Sequence, residues 1–483
     1  MGIKGVIFSK MEVLRRAILQ VNTICSEVKP EDPREVEEVN EYSGTCFHVV
    51  PAFLEGCPFY SDDKLFFVTN FHVCDDADNR TVFLRTAAMG KSMFTAKVEA
   101  VVPKLDIAIL SITRGGEHEK WFLPESPEMY LDELKQVTLY PKRISSKTRK
   151  ISTLGFPQGL ENQLSSGWLA GRGTDDDEML QCNISLNSGN SGGPLFDAKC
   201  NIIGVCTSTL GDSEQISFAV PSYCVLKYFQ NFYTSPYGRF PQWGISTLPL
   251  TEAYKKVHKI RGCGAVIKDI HPASSAVGVL KPSDVIHSVG GSQLDMFGLM
   301  VDSTRGSKIS MDNTEFILSL EDAEIEFSRK STKKTVKLMP APLDLKVGEC
   351  YKEWNPVKVA SFGPFVFQNL NLGLMTCEDL PVCKSMELLQ HATATKSMEE
   401  TVVISKINPN SYVASLEYPA EYDRVIAVNR TKIDSMKTLK KAFASVTRMQ
   451  KEGEKYFSLE TSSGKMHFCI DKVLKTTKKR KRK

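Results

Sequence analysis

Nine short apolar runs, each ended by a turn, fill residues 43–222 and constrain the fold more than any other feature of the sequence. Helical periodicity is scarce between them, and β-branched residues are frequent. Strands at such regular spacing are typical of an all-β sandwich or barrel, and a helical stretch over residues 222–235 closes the unit. The runs are TCFHVVPAF, KLFFVTNFHV, TVFLRT, FTAKVEAVV, DIAILSI, QVTLYP, ISTLGFP, NIIGVCTST and ISFAVPS.

The second half of the chain contains an internal repeat. The segments that start at Gly264 and Thr401 share one order: a strand, a proline turn, a small helix, an aspartate, a second strand and a turn. The chain of 483 residues is long enough for about three domains. We therefore predict an N-terminal helix with an acidic linker (1–40), a β-rich domain (41–235), a first repeated module (236–340), a linker (341–358), a divergent second module (359–474) and a basic tail (475–483).

Composition excludes several classes of protein. Hydrophobic residues make up 42% of the chain, enough for a sizeable core, yet no window approaches the roughly 18 uncharged apolar residues of a membrane span. The N-terminal apolar runs GVIF and AIL are too short for a secretory signal, so an amphipathic helix is favoured over a transit peptide. Val6 stands where N-myristoylation of Gly2 needs a serine or threonine.

The 13 cysteines are scattered and contain no Cys-x-x-Cys pair. This pattern favours buried thiols in a reducing, intracellular compartment over a disulfide scaffold or a zinc site. The histidines outside the motifs described below have no metal-ligand spacing, so we predict neither a metal nor a cofactor.

The last six residues, Lys478 to Lys483, are all basic, while the rest of the chain is nearly neutral. Such a tail fits a nuclear localisation signal, a nucleic-acid tether or a disordered solubilising end. The possible partners of this tail are nucleic acid or an import receptor, and the predicted location is the nucleus or cytoplasm.

Three residues of the β-rich domain have the chemistry of a hydrolase. His72 follows an apolar strand, Asp106 opens another, and Ser191 lies in GNSGGP. A serine hydroxyl is a poor nucleophile, so it needs an imidazole to take its proton and a carboxylate to orient that imidazole. The chain order His, Asp, Ser is that of the chymotrypsin-like double β-barrel. Each residue alone is more often a packed or capping residue.

The glycines around Ser191 allow the chain to curl, so that backbone N–H groups point into one pocket. We predict an oxyanion hole formed by Gly189, Asn190 and Ser191.

Six segments in order carry a family resemblance: VTNFHV, DIAIL, LGFPQGL, NSGNSGGPLFD, IIGV and ISFAVPS. From about residue 40 to 470 the chain resembles the HtrA/Deg serine proteases, and GFPQGL with LKPSDVIHSVGG is most similar to the plant-type Deg branch. The resemblance implies a trypsin-like protease domain followed by two PDZ domains. It also implies ATP-independent cleavage of unfolded or damaged proteins and a homo-oligomer of trimers or their multiples.

Two positions depart from trypsin-type enzymes. Asn190 replaces the aspartate that traps a new N-terminus, so no zymogen cleavage is expected. Ser185 replaces the acid that selects lysine or arginine, and a pocket without a charge cannot compensate the desolvation of a cation. With Ser217 and Phe218 in the same S1 pocket, we predict cleavage after small or medium apolar residues.

A PDZ domain adds a peptide as a strand and holds its carboxylate in backbone N–H groups. We predict that Trp243, Gly244 and Ile245 bind this carboxylate, although a plain surface turn is the alternative. In the second module the equivalent loop is FGPFVF or NLGLM, and Pro364 lacks an N–H. That module is expected to bind peptides poorly and to serve assembly.

Two alternatives stay open at this point. The protein is either a serine endopeptidase or a non-cleaving PDZ scaffold or chaperone that holds unfolded proteins. The acidic loop at residues 175–178 is either a solvated loop or a regulatory contact.

Overall fold

The computed structural model describes residues 9–75, 77–115, 127–145, 147–156, 162–172, 179–187, 189–209, 216–302, 306–343, 350–377, 380–392, 399–416 and 418–475. The chain divides into two compact units. The first contains residues 1–25 and 40–343, and the second contains residues 26–39 and 344–483.

The first six strands close into a barrel in the order β1-β2-β3-β6-β5-β4. Apolar side chains from these strands are almost fully buried, as Phe47, Val68 and Ile109 illustrate, because closure turns one face of every strand inward. The elements are helix α1 (Lys10–Arg15) and strands β1 (Ile18–Lys29), β2 (Asp32–His48), β3 (Lys64–Thr69), β4 (Ala77–Arg85), β5 (Phe94–Val102) and β6 (Ile107–Thr113).

A second closed barrel follows in the order β10-β11-β12-β9-β8-β7. Two closed six-stranded barrels confirm the predicted double β-barrel. The elements are helix α2 (Pro127–Glu133), strands β7 (Arg149–Gly155), β8 (Gln163–Arg172), β9 (Leu180–Cys182), β10 (Pro194–Asp197), β11 (Ile202–Thr209) and β12 (Ser217–Pro221), and helix α3 (Ser222–Asn231).

The N-terminal segment differs from the predicted helix and acidic linker. After the short helix α1, the chain forms two adjacent long strands, β1 and β2, and the acidic stretch lies in the turn between them and in the first part of β2. Most side chains from Arg34 to Ser43 are exposed. A strand that is solvated on both faces can be rich in glutamate, so its composition resembles that of a linker.

The first module is built on a sheet in the order β14-β15-β16-β20-β21, with β14 at one edge. Its fully buried Trp243 and Ile325 lie in the same apolar cluster as the barrel residues. The elements are β13 (Pro241–Gln242), β14 (Ile245–Pro249), α4 (Glu252–His258), β15 (Ala265–Ile270), β16 (Val285–Val289), β17 (Ser292–Gln293), β18 (Leu299–Val301), β19 (Lys308–Ser310), α5 (Thr314–Ser319), β20 (Glu324–Arg329), β21 (Thr332–Lys337) and β22 (Ala341–Pro342).

An ion-pair network joins the second barrel to the first module. Glu315 of α5 is fully buried and contacts Arg143 (Nε to Oε2, 2.9 Å) and Arg172 (Nη1 to Oε1, 2.8 Å). Arg143 also pairs with the buried Asp302 at 2.5 Å. Buried charges are tolerated only when they are paired in this way.

The second module has the sheets β23-β24-β25 and β27-β26-β28-β29 around an apolar core of its own. Its elements are β23 (Val359–Phe362), β24 (Phe365–Asn369), α6 (Leu372–Met375), α7 (Val382–Ala392), β25 (Val402–Ile407), β26 (Val425–Val428), β27 (Thr431–Lys432), α8 (Met436–Lys451), β28 (Tyr456–Thr461), β29 (Gly464–Cys469) and α9 (Ile470–Lys475).

Across the described ranges, every helix is too short or too polar to cross a membrane. The 13 cysteines all lie within these ranges and form no disulfide. Seven of them are buried.

Candidate active site

His72 and Asp106 meet at one end of the first barrel because neighbouring strands carry them. His72 lies in the short turn of helix that follows β3, and Asp106 lies directly before β6, which pairs with β3. Asp106 has a left-handed backbone (φ 51°), which turns the chain into β6. Its carboxylate accepts hydrogen bonds from the ring Nδ1 (2.8 Å) and the backbone N–H (3.0 Å) of His72.

The hydrogen bond between Asp106 and His72 changes the basicity of the His72 imidazole. Partial burial lowers the pKa of His72, but the hydrogen bond to Asp106 and the charges of Asp106 and Asp75 outweigh it, so the net pKa lies above its usual 6.5. The His72 side chain is 45% exposed, so it can reach a bound substrate. The bond at Nδ1 leaves Nε2 as the nitrogen that can accept a proton.

Thr207 joins this pair to Ser191, and the sequence motifs did not reveal it. Its hydroxyl donates to the Asp106 carboxylate, and its backbone carbonyl accepts a hydrogen bond from the Ser191 hydroxyl at 2.8 Å. Asn70 is a second unpredicted neighbour, since its amide donates to the Asp106 carbonyl (2.9 Å). The hydroxyl of Ser191 must leave Thr207 before it can donate to His72, because one hydrogen serves one strong bond.

Ser191 lies on a tight loop before β10 that only glycines permit. Gly189 (φ 98°) and Gly192 (φ 85°) have positive φ angles. A Cβ on Gly192 would lie 2.0 Å from the Thr45 carbonyl oxygen. Asn190 is buried, and its carbonyl accepts a hydrogen bond from the Gly193 N–H (3.0 Å). The three residues predicted as the oxyanion hole therefore lie on one anchored loop, and Ser188 within it lies outside the described residues.

The three residues predicted for the S1 pocket differ in exposure. Ser217 is buried at the start of β12, and its hydroxyl donates to the Cys182 carbonyl (3.4 Å) on the neighbouring strand β9. Ser185 is exposed, a few residues after Cys182, and Phe218 is half-buried. The predicted residues therefore lie on β12 and on the segment that follows its neighbouring strand β9.

One of the N–H groups predicted to bind a peptide carboxylate already donates to a carboxylate of the protein itself. The Trp243 ring is fully buried, and its Nε1 donates to the Met311 carbonyl (2.9 Å). The Trp243 backbone N–H makes a long hydrogen bond (3.4 Å) to the Asp312 carboxylate. Gly244 has a left-handed backbone (φ 61°), and Ile245 begins the edge strand β14. A carboxylate of the same chain thus lies at one of the predicted N–H donors.

In the second module a strand of the same chain lies beside the equivalent strand. β24 pairs with β25 as β14 pairs with β15, and the other edge of β24 pairs with β23 through a turn at Gly363 and Pro364. Phe362 at the end of β23 stacks on Phe443 of α8 with ring centroids 4.3 Å apart. β23 therefore occupies the space between β24 and α8.

Two predicted features lie outside the described residues. These are the acidic loop at residues 175–178 and the basic tail at residues 478–483.

Known proteins are similar to parts of this chain. The family model of the trypsin-like peptidase domain matches residues 45–205. The periplasmic serine endoprotease DegP of Escherichia coli is 28% identical over 249 residues, which cover 49% of this chain and 48% of DegP. A DegP-like periplasmic serine endoprotease of Bartonella henselae is 26% identical over 249 residues, which cover 50% of this chain and 46% of that protein. The chain spans about half the length of the curated relatives it matches.

Among solved structures, the HtrA-type protease AlgW with a decapeptide aligns with a TM-score of 0.46 and 18% identity. The alignment covers 70% of this chain and 99% of AlgW. These similarities do not distinguish the branches of the family, so placement in the plant-type Deg branch stays a prediction.

The predicted location in the nucleus or cytoplasm is wrong. The E. coli and B. henselae relatives are periplasmic endoproteases by name. Unpaired cysteines do not identify a reducing compartment here, because seven of the thiols are buried and burial itself protects a thiol. Desolvation raises the pKa of Cys46 and Cys74, which disfavours their reactive thiolate forms.

Proposed function

Because the chain belongs to the HtrA/Deg family of serine proteases, we propose that it is a serine endopeptidase with His72, Asp106 and Ser191 as its catalytic triad. The observation that carries this proposal is the contact between His72 Nδ1 and Asp106 (2.8 Å), with Thr207 linking Asp106 to the Ser191 hydroxyl. The pairing of imidazole and carboxylate leaves Nε2 to act as the base.

The proposed reaction has two stages. Ser191 Oγ attacks the scissile carbonyl while its proton passes to His72 Nε2, and the resulting tetrahedral oxyanion accepts hydrogen bonds from Gly189 and Ser191 N–H groups. His72 then gives that proton to the leaving amine as the C–N bond breaks, which leaves an acyl-enzyme. In the second stage, water attacks the acyl carbonyl and gives a proton to His72. His72 then returns this proton to Ser191 Oγ as the ester C–O bond breaks, which releases the carboxyl product and regenerates the serine. Asp106 stays ionised and stabilises the imidazolium.

We propose the S1 pocket at Ser185, Ser217 and Phe218, and cleavage after small or medium apolar residues. None of these three side chains carries a charge, so a buried lysine or arginine would lose its hydration without gaining an ion pair. A positional-scanning peptide library is expected to return Val, Ala, Leu or Ile at P1. Preferred cleavage after Arg or Lys would contradict this assignment.

Unfolded or damaged proteins are the proposed substrates, cleaved without ATP, in a periplasmic or secreted location. The modules are proposed to be PDZ-like, with Trp243, Gly244 and Ile245 as the carboxylate-binding residues of the first. A peptide carboxylate would have to displace Asp312 from the Trp243 N–H. The second module is proposed to bind peptides poorly, because β23 already pairs with β24. Fluorescence anisotropy with a labelled C-terminal peptide, before and after Asp312→Asn, tests the first site.

A homo-oligomer of trimers or their multiples is also proposed, in keeping with the family. Mass photometry at micromolar protein is expected to give such multiples, and a monomer would contradict the proposal.

The test of the activity is digestion of casein by the wild-type protein and by Ser191→Ala. Wild type is expected to cut casein, and the variant is expected to leave it intact. One observation favours the second candidate, a non-cleaving chaperone: the Ser191 hydroxyl donates to Thr207. If both proteins leave casein intact and both suppress lysozyme aggregation, the chaperone function is the correct one.

A further inference from the structure

Thr45 is a fully buried residue near the end of β2, and it holds the serine loop from the opposite barrel. Its backbone N–H donates to the Ser191 carbonyl (2.8 Å), and its hydroxyl donates to the Gly189 carbonyl (2.6 Å). The same hydroxyl oxygen accepts the Phe156 N–H (3.2 Å). The hydroxyl thus has both a donor role and an acceptor role in the loop region.

The carbonyl of Thr45 connects to the His72 side of the site. It accepts a hydrogen bond from the Thr69 hydroxyl (2.8 Å) at the end of β3. The next residue, Asn70, donates to the Asp106 carbonyl, and His72 follows two residues later. Thr45 therefore contacts both the serine loop and the strand that leads to the histidine.

Glycine residues bring the backbone of the serine loop and of β7 close to Thr45. A Cβ on Gly192 would lie 2.0 Å from the Thr45 carbonyl oxygen, and a Cβ on Gly155 would lie 3.0 Å from its hydroxyl. Position 192 therefore requires glycine, and a Cβ at position 155 would make a tight contact with Thr45. The serine loop packs directly against the backbone and side chain of Thr45.

We propose that Thr45 is a positioning residue that orients the oxyanion-hole N–H groups. This inference rests on the proposed function. Thr45 fixes the carbonyls of Gly189 and Ser191, and Gly193 fixes the carbonyl of Asn190 between them. Since the peptide planes on both sides of Ser191 are then held, so is the direction of its N–H. The Gly189 carbonyl anchors the residue that carries the second donor.

Removal of the hydroxyl should therefore act on the transition state. Thr45→Val keeps the shape of the side chain but leaves the Gly189 carbonyl without this donor and the Phe156 N–H without this acceptor. Loss of one preorganised oxyanion donor lowers kcat by about 100-fold to 1000-fold, and a donor that is merely loosened should cost about 10-fold to 100-fold. KM should change little, because the ground-state carbonyl carries little charge. Thr45→Ser retains the hydroxyl and should stay within about threefold of wild type.

The experiment measures kcat and KM of wild type, Thr45→Val and Thr45→Ser on one fluorogenic peptide with Val at P1. It also measures inhibition by the matching peptide boronic acid, whose boron binds Ser191 Oγ and places a tetrahedral oxygen in the oxyanion hole. The affinity of Thr45→Val for the boronate should fall in parallel with kcat, while the affinity for the cleaved product peptide stays unchanged. Melting temperature is recorded for each variant, and Thr45→Ala replaces Thr45→Val if the latter does not fold.

The outcomes separate this inference from the proposed function. A wild-type protein that cuts no peptide contradicts the proposed function and the role of Thr45 with it. An active wild type whose Thr45→Val variant keeps kcat within twofold, or loses product affinity as much as boronate affinity, contradicts only the role of Thr45. Failure of Thr45→Ser to restore kcat would likewise overturn it.

Discussion

Glu315→Gln should weaken the contact between the second barrel and the first module. Its effect should exceed that of replacing any other acidic residue of this contact by the corresponding amide. Glu315 is fully buried and is paired with Arg143 and Arg172. Glutamine has the same shape but no charge. Arg143 would keep its pair with the buried carboxylate of Asp302, whereas Arg172 would lose its ion pair with Glu315.

The size of the effect follows from the geometry. A pair of unit charges about 4 Å apart interacts by about 4 kcal/mol at an effective dielectric constant of about 20. Removal of one partner from a buried ion pair costs about 3–5 kcal/mol, because the remaining charge stays desolvated. We expect a loss in this range for the free energy of opening of α5.

Native-state hydrogen exchange with mass spectrometry measures this quantity on peptides that cover α5 and β8. Glu326→Gln is the matched control, because Glu326 is exposed on β20 of the same module. The control should differ from wild type by less than about 0.5 kcal/mol. If Glu315→Gln opens α5 no more easily than Glu326→Gln does, the network does not stabilise the contact.

Three further predictions concern titration and packing. Burial lowers the pKa of His48 to about 4, so its neutral form stabilises the fold at pH 7, and this contribution is lost as the pH falls from 6.5 to 4. At pH 5 the loss in the free energy of unfolding is about 2 kcal/mol. Urea unfolding of His48→Gln should lack this part of the pH dependence. If His48→Gln and wild type have the same pH profile, His48 does not contribute in this way. The rate of peptide hydrolysis should rise with pH through a pKa above 6.5, because His72 must lose its proton to act as the base. A rate that is independent of pH between 5 and 8 would contradict this pH dependence. Asp106→Asn should lower kcat by about 10⁴-fold. Phe362→Ala should lower the free energy of unfolding of the second module by about 3–5 kcal/mol in calorimetry, because it removes the ring that stacks on Phe443. The control Ala360→Gly, at a half-buried site on the same strand, should cost about 1 kcal/mol. Equal losses would show that the contact with Phe443 is unimportant.

The local pattern predicted an all-β sandwich or barrel. The order His, Asp, Ser and the family resemblance were needed to predict the double barrel and the grouping of His72 with Asp106. Short apolar runs mark strands because the side chains of a closed barrel point alternately into one core. His72 and Asp106 lie at the ends of β3 and β6, which are neighbours in the sheet, so their meeting follows from strand pairing.

The partners that come from distant segments could not be predicted in this way. Thr207 lies inside β11 with no motif around it, and Thr45 is one of several small polar residues near the end of β2. Their importance depends on which carbonyl each side chain faces, and that is set by the packing of one barrel on the other. The hairpin of β1 and β2 was missed for another reason, since its charged residues are solvated and give no apolar period.

Intact-mass spectrometry after reaction with a fluorophosphonate tests the central claim most directly. The reagent phosphonylates a serine only where a base and an oxyanion hole activate it. Wild type should gain one adduct that peptide mapping locates at Ser191, while Ser191→Ala and His72→Ala should gain none. An unlabelled wild type, or an adduct that persists in Ser191→Ala, would contradict the assignment of Ser191 as the nucleophile.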